Sequence, residues 1–383
     1  MINYGRQNIN SKDIKNVVKT LSSNWLTSGP KIHEFEKKIS KLIGAKYCAS
    51  VNSATSALHL ACLSLGLKKN DYLWTSSNTF VASANCGLYC GAKINLIDID
   101  EENYNIDIKL LEKKLIIAKK KNKLPKIIIP VHFAGLPCDM KKIYSLSKKY
   151  KFKIIEDASH ALGAKYFNNR IGSCKYSNIT IFSFHPVKMI TTGEGGVAAT
   201  NDKKIYKKIA SLRDHGIDRL SFRSKKKPWF FSQTDLGYNY RMTDIQASLG
   251  ISQLDRLGKF VLERNKIAKF YHRKLLSLPL KLPKVPKNYI SSYHLYVVQV
   301  LDKCVKKNRD NLIKFLFKKK IRCAVHYIPI YKHKFYKKIF PINTKYIQNE
   351  LYFRRAISLP IYPDIKKREL NKVVFTIKQF FNR

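Results

Sequence analysis

Acidic residues are scarce in this sequence: 26 Asp and Glu stand against 73 Lys and Arg, a formal charge of +47 over 383 residues. Taken alone, that excess points to a nucleic-acid or membrane-surface partner. Its distribution argues otherwise. The lysines recur in short runs along the whole chain, as at Lys119–Lys121, Lys225–Lys227 and Lys318–Lys320, and not on one helix or tail. Scattered charge of this kind marks a solvated face. The distant reading as a basic nucleic-acid-binding or regulatory protein also lacks any helix-turn-helix, zinc or base-stacking motif, so no nucleic acid is expected as a partner. A residual positive field could still attract a small anion.

Paired cysteines are missing as well. Cys48, Cys62, Cys86, Cys90, Cys138, Cys174, Cys304 and Cys323 show no Cys-x-x-Cys spacing. Most sit in apolar surroundings such as Ala61-Cys62-Leu63, which suits reduced, buried thiols. Cys86 and Cys90 could share a helix face, but nothing near them in sequence completes a metal set, and no metal is expected. No run of about 18 apolar residues occurs, and the start, Met1-Ile2-Asn3-Tyr4-Gly5-Arg6, is no signal pattern. The expectation is a cytoplasmic protein without membrane insertion. With only 16 Gly and 13 Pro against 45% hydrophobic residues, the chain can bury a large core.

Between about residues 45 and 200, apolar β-rich runs alternate with helical spacing, the pattern of a mostly parallel sheet covered on both faces. Strands are predicted at Tyr47–Val51, Tyr72–Thr75, Ile94–Ile97, Ile127–Pro130, Lys153–Ile155 and Thr180–Ser183. Helices are predicted at Ser56–Leu65, Val81–Cys90, Ile108–Lys119 and Met140–Tyr150. From Met242 to about Leu275, apolar residues keep helical spacing without proline, which predicts one long connecting helix. Pro279–Pro286 reads as a linker, and Tyr293–Val300 and Ala324–His326 as strands of a smaller α+β unit. The expected division is a large α/β domain over 1–250 and, over 251–383, the connecting helix with a small C-terminal domain.

Three stretches carry chemistry. In Ile181-Phe-Ser-Phe-His-Pro-Val-Lys188-Met-Ile-Thr-Thr-Gly193-Glu-Gly-Gly196, one lysine follows an apolar strand and precedes small residues. A lysine desolvated there would lose its charge and become a nucleophile; the plain alternative is surface decoration. In Ile154-Ile-Glu-Asp157-Ala-Ser-His160-Ala-Leu-Gly163, a carboxylate ends a strand, where such sheets bind ligands. Asp157 could hold a pyridine nitrogen protonated or simply cap a following helix. His160 could meet a ring hydroxyl or be a satisfied core histidine. In Val51-Asn52-Ser53-Ala54-Thr55-Ser56-Ala57-Leu58, small hydroxyl residues lie between strand and helix, where free N–H groups attract phosphate; an N-cap explains them equally well.

Taken in order, Asn52-Ser-Ala-Thr-Ser-Ala-Leu58, Glu156-Asp-Ala-Ser-His-Ala-Leu-Gly163, Ser183-Phe-His-Pro-Val-Lys188, Thr192-Gly-Glu-Gly-Gly196 and Gly237-Tyr-Asn-Tyr-Arg-Met-Thr-Asp244 resemble the DegT/StrS-type sugar aminotransferases. Trp25-Leu-Thr-Ser-Gly29, His326-Tyr-Ile-Pro329 and Ser358-Leu-Pro-Ile-Tyr-Pro363 extend the match over nearly the whole chain. The resemblance implies an α/β fold of the aspartate-aminotransferase type, pyridoxal phosphate fold type I, and a homodimer with shared active sites. It implies pyridoxal 5'-phosphate as cofactor, held as a Schiff base by Lys188, with pyridoxamine 5'-phosphate formed in turnover. Asp157 matches the partner of the pyridine nitrogen, Phe80 the stacking aromatic and His160 the neighbour of the ring hydroxyl. Ala54, Thr55 and Ser183 match the phosphate cradle, joined by Asn239 from the other subunit.

By the same resemblance, glutamate gives its amino group and leaves as 2-oxoglutarate, a keto-sugar receives it, and Lys188 shuttles the proton. Related dehydratases carry histidine in place of this lysine, so Lys188 implies transamination. Ser-His-Ala-Leu-Gly163 and Val325-His-Tyr-Ile-Pro-Ile-Tyr331 most resemble the pseudaminic-acid branch, whose enzymes aminate C4 of a UDP-linked 4-keto-6-deoxy-N-acetyl-hexosamine. That branch places sugar contacts at Tyr4, Asn24, Trp25, Leu26, Thr27, Ser183, Asn239, Val325, His326, Tyr327 and Ile328. Gly193 stands where the branch can carry Ala, and Trp25 replaces a polar residue. The alternative acceptor is a GDP- or dTDP-linked keto-sugar, as in perosamine-type synthases.

Overall fold

A computed structural model describes residues 1–218, 229–301, 307–340 and 346–382; Lys225–Lys227 and Cys304 lie outside them. The strands are β1 (Tyr47–Val51), β2 (Tyr72–Ser76), β3 (Lys93–Ile97), β4 (Ile127–Ile129), β5 (Lys153–Asp157), β6 (Lys165–Tyr166), β7 (Asn169–Arg170), β8 (Ile179–Ser183), β9 (Gly196–Thr200), β10 (Ile217–Asp218), β11 (Ser232–Gln233), β12 (Leu280–Lys281), β13 (Tyr289–Ile290), β14 (Tyr296–Val300) and β15 (Ala356–Leu359). The helices are α1 (Ser11–Leu21), α2 (Pro30–Ile43), α3 (Ala54–Ser64), α4 (Ala82–Tyr89), α5 (Ile108–Lys120), α6 (Met140–Tyr150), α7 (Lys203–Leu212), α8 (Asp244–Leu254), α9 (Leu257–Leu275), α10 (Arg309–Lys318), α11 (Ile347–Arg355) and α12 (Lys367–Phe381).

Seven strands form the central sheet in the order β1-β9-β8-β5-β4-β2-β3. All its neighbouring pairs are parallel except those of β9, which runs against both β1 and β8. The strands are apolar on both faces, and alternation sorts them between two cores. Ile128, Ile154 and Phe182 face one core, while Ile127, Ile129, Ile155 and Ile181 face the other. Period-two alternation between two buried faces is what a sheet covered by helices on both sides requires. Amphipathic α5 shows the covering logic: Leu111, Leu115 and Ala118 are buried, Lys109, Lys113, Lys119 and Lys120 are exposed, and Asp107 caps it by accepting from the Leu110 N–H. A second sheet, β12-β14-β15, carries a separate core built with α9, α10 and α12, and Ile2 from the N-terminus joins it.

Three expectations need correction. The long helix is two, because the first ends at Leu254 and a turn at Asp255 and Arg256 separates it from Leu257. The Arg256 guanidinium bonds to Asn8 and Asp13, and Asp255 pairs with Lys12 and Lys38. These contacts hold the turn between the largely buried α8 and α9. Ala324–His326 is no strand: only Ala324 bridges to Ser358, the two exchanging backbone N–H to carbonyl bonds. The Pro279–Pro286 linker contains β12, which pairs with β14.

Candidate active site

The carboxyl ends of β2, β5 and β8 and the turn after β1 converge on a cavity of about 390 Å³. Ligands gather at this edge of α/β sheets because the strands deliver loops and helix N-termini to it. Lys188, Asp157, His160, Ser183, Ala54, Thr55 and Phe80 all line the cavity, as do Tyr4, His326 and Tyr327.

Lys188 sits half-buried on the loop between β8 and β9. The neck of that loop is closed by Thr191 Oγ1 and the Thr192 N–H, which both donate to the Phe184 carbonyl, and by the Lys188 N–H donating to the His185 carbonyl at 2.9 Å. Burial lowers the ammonium to about 8, partly offset by the charge of Asp157. A fraction of the side chain is therefore neutral near physiological pH.

Asp157 ends β5, and no helix follows it. Its carboxylate accepts from Ser83 Oγ at 2.6 Å and from the Ser159 N–H at 3.1 Å, an Asx turn and not a helix cap. Thr79 Oγ1, 2.8 Å from Ser83 Oγ, continues the chain. The carboxylate is thus buried, oriented and still in contact with the cavity.

His160 is buried, with Nε2 3.0 Å from the Tyr327 hydroxyl and Nδ1 without a partner. Burial, then the charge of Lys188, hold it well below the ordinary imidazole range, so it is neutral. Phe80, despite its size, is 56% exposed, and its exposed ring forms part of the cavity wall.

The turn after β1 supplies the anion site. Ser53 caps α3 by accepting from the Ser56 N–H at 3.1 Å. The first-turn amides, those of Ala54 and Thr55 among them, have no acceptor within the helix, and the dipole of α3 favours negative charge there. Gly196 lets β9 pass directly behind this turn, because a Cβ on it would lie 2.5 Å from the Ala54 nitrogen. Gly196→Ala is therefore expected to destabilise the fold by about 1–3 kcal/mol and to weaken phosphate binding. Thermal unfolding and cofactor content after dialysis check this, and wild-type values for both would refute it.

The remaining expected residues lie outside this cavity. Asn24, Trp25, Leu26 and Thr27 are exposed on the connection between α1 and α2, anchored where Thr27 bridges to Thr243 and the Leu26 carbonyl accepts the Asp244 N–H. Asn239 is also exposed, although the carbonyl of its neighbour Tyr240 accepts the Asn52 N–H beside the anion site. Val325 and Ile328 flank the lining residues without joining them. Conversely, Asn78, Ser83, His185, Glu194 and His294 escaped sequence reasoning. Asn78 and Ser83 flank Phe80 in sequence, and that proximity was their only signal.

These groups suit pyridoxal phosphate. The α3 N-terminus would take its phosphate, Asp157 its pyridine nitrogen, His160 its ring hydroxyl and Lys188 its aldehyde carbon. Among the described residues no group of three or more His, Cys, Asp or Glu is placed to hold a metal ion, and no helix is long and apolar enough to cross a membrane.

A family model described as the DegT/DnrJ/EryC1/StrS aminotransferase family matches residues 7–378. The UDP-4-amino-4,6-dideoxy-N-acetyl-beta-L-altrosamine transaminase of Campylobacter jejuni is 38% identical over 381 residues, 98% of this chain and 96% of that protein. Helicobacter pylori PseC, an aminotransferase involved in the biosynthesis of pseudoaminic acid, matches with a TM-score of 0.89 at 29% identity, over 100% of this chain and 99% of that one. A sugar aminotransferase of Streptococcus pneumoniae matches in its PMP form with a TM-score of 0.91 at 29% identity, over 100% and 99% of the two chains, and its PLP form matches at 0.90. The chain belongs to the DegT/DnrJ/EryC1/StrS aminotransferase family and is an aminotransferase of the α/β, fold type I class with pyridoxal phosphate as its cofactor.

Proposed function

We propose that this enzyme moves an amino group from glutamate to C4 of a UDP-linked 4-keto-6-deoxy-N-acetyl-hexosamine, a step in pseudaminic-acid biosynthesis. The observation that carries the chemistry is the meeting of Lys188, Asp157 and the α3 N-terminus in one cavity. The choice of sugar rests on the likeness to the Campylobacter and Helicobacter enzymes.

Bound in this cavity, pyridoxal phosphate supplies a carbonyl for the amino group and a ring that stores an electron pair. The chain's own residues do the rest. The α3 amides fix the phosphate end, and Asp157, aligned by Ser83, keeps the ring nitrogen protonated. Lys188 takes and returns the proton at the reacting carbon, which its weakened basicity allows near neutral pH. Phe80 covers the ring face. Tyr4, His326 and Tyr327 border the space left for the sugar ring. Asn24 to Thr27 and Asn239, exposed on their own chain, would reach the site of a second copy, so the active form is a homodimer with shared sites. The site residues and the division into domains 1–250 and 251–383 are part of this reading.

The test is the visible spectrum of the purified protein. Glutamate should bleach the yellow cofactor band, and the UDP-4-keto-hexosamine should restore it. A band that cycles with glutamate but ignores this sugar would overturn the substrate, and no band even with added pyridoxal phosphate would overturn the assignment of the site.

A further inference from the structure

The cavity around Lys188 is also lined by four imidazoles, the exposed His185 and the more enclosed His160, His294 and His326, and among the described residues by no arginine. That is an unexpected inventory for a donor with two carboxylates, which proteins usually meet with a guanidinium fork. The same space must then accept a sugar ring that carries no charge at its reacting end. A permanent cation would suit only the first of these.

His326 is the imidazole best placed to serve both. Its Nδ1 lies 2.8 Å from Ser358 Oγ on β15, and its carbonyl accepts the Tyr352 hydroxyl at 2.7 Å. The following N–H, that of Tyr327, donates to Asn78 Oδ1 at 3.2 Å. The ring is thus fixed along one edge, which leaves Nε2 for a ligand. Tyr4 and Tyr327 flank it, with ring centroids at 5.3 and 5.0 Å. Lys188 is the cation that faces it, and His160 and His294 lie across the cavity with rings 4.4 Å apart. Of the two carboxylates that line the space, Asp157 is engaged by Ser83 and Ser159, and Glu194 is exposed. Burial first, and then Lys188 while its amine is free, hold the His326 imidazole down to about 4; burial acts in the same direction once the lysine is committed to the cofactor, so the ring is neutral without a ligand. A carboxylate placed in this low-dielectric space reverses that balance, because an opposite charge nearby favours the protonated ring.

We propose that the amino donor's carboxylate enters the cavity together with one proton, held on His326 as an imidazolium facing it, whereas the keto-sugar enters without one. This rests on the glutamate reading above. The proton comes from solvent and returns to it when the keto acid leaves, so no bond in the substrates changes.

The test is calorimetry of glutarate, which has both carboxylates and no amine, binding to the holoenzyme in two buffers of different ionisation heat. Wild type should take up about one proton, with affinity falling about tenfold per pH unit above neutrality. His326→Gln, which keeps a neutral hydrogen-bonding group, should bind glutarate without uptake and with little dependence on pH. Absence of uptake in wild type, equal uptake in His326→Gln, or no binding of glutarate would each overturn the proposal. Bleaching by glutamate is followed in parallel. Bleaching without uptake sinks this inference alone, whereas no bleaching sinks the donor assignment itself.

Discussion

Replacing Lys188 by alanine is expected to cut turnover by about 10⁴-fold or more, because one side chain performs both nucleophilic and proton-transfer work. The visible band that glutamate bleaches should vanish with it. Stability should not fall in proportion. The folded-state pKa of Lys188 is lowered to about 8. Below that pH the fold therefore penalises the charged form relative to the unfolded chain, and removing the amine relieves a cost. The pH dependence follows with a definite sign. As a base the lysine must be neutral, so the sugar half-reaction in wild type should speed up as pH rises and level off above about 8. In Lys188→Ala the residual rate should lack that inflection. Stopped-flow recovery of the band across pH in wild type, amino-sugar formation across pH in the variant, and thermal unfolding of both proteins measure all of this. A variant that still cycles the band with glutamate would refute the role of Lys188.

The structure explains why some of this was readable in the sequence and some was not. The strands predicted at Tyr47–Val51 and Lys153–Ile155 announce themselves because apolar runs bounded by polar residues have few other stable arrangements, and the second continues to Asp157. β9 did not. Its sequence, Gly-Val-Ala-Ala-Thr, has weak strand preference, and it is a strand because it lies between β1 and β8 with every residue buried. The break between α8 and α9 was invisible for a related reason. Apolar spacing continues through Asp255 and Arg256, while the contacts that bend the chain come from Asn8, Lys12, Asp13 and Lys38, far away in sequence. The site divides along the same line. Lys188, Asp157 and His160 lie in local motifs. His294 reaches the cavity only through tertiary packing, supported by Arg264, which donates to its carbonyl at 3.1 Å, and Asn78, buried behind the cavity wall, acts on it only by accepting the Tyr327 N–H.

Asp157→Asn should separate binding from catalysis. The carboxylate has two neighbours that donate to it, Ser83 Oγ at 2.6 Å and the Ser159 N–H at 3.1 Å. An amide can accept from one of them through its oxygen, but its NH₂ must then face either the other donor or the ring nitrogen of the cofactor. Nothing negative is left to hold that nitrogen's proton, and the ring loses strength as an electron sink. The α3 amides and Lys188 remain, so cofactor binding should survive. Turnover should fall on the order of 10²–10³-fold, the scale of losing one preorganised electrostatic partner, with KM for glutamate moving much less. Ser83→Ala gives the internal comparison. It keeps the charge and removes only a hydrogen bond to it, worth about 1.5–3 kcal/mol at most, so its loss should be smaller and should appear in the same rate constant. Rapid-mixing measurements of bleaching by glutamate distinguish the two. If Asp157→Asn bleaches as fast as wild type, the carboxylate serves only the turn at Ser159, and the electrostatic role assigned to the end of β5 is wrong.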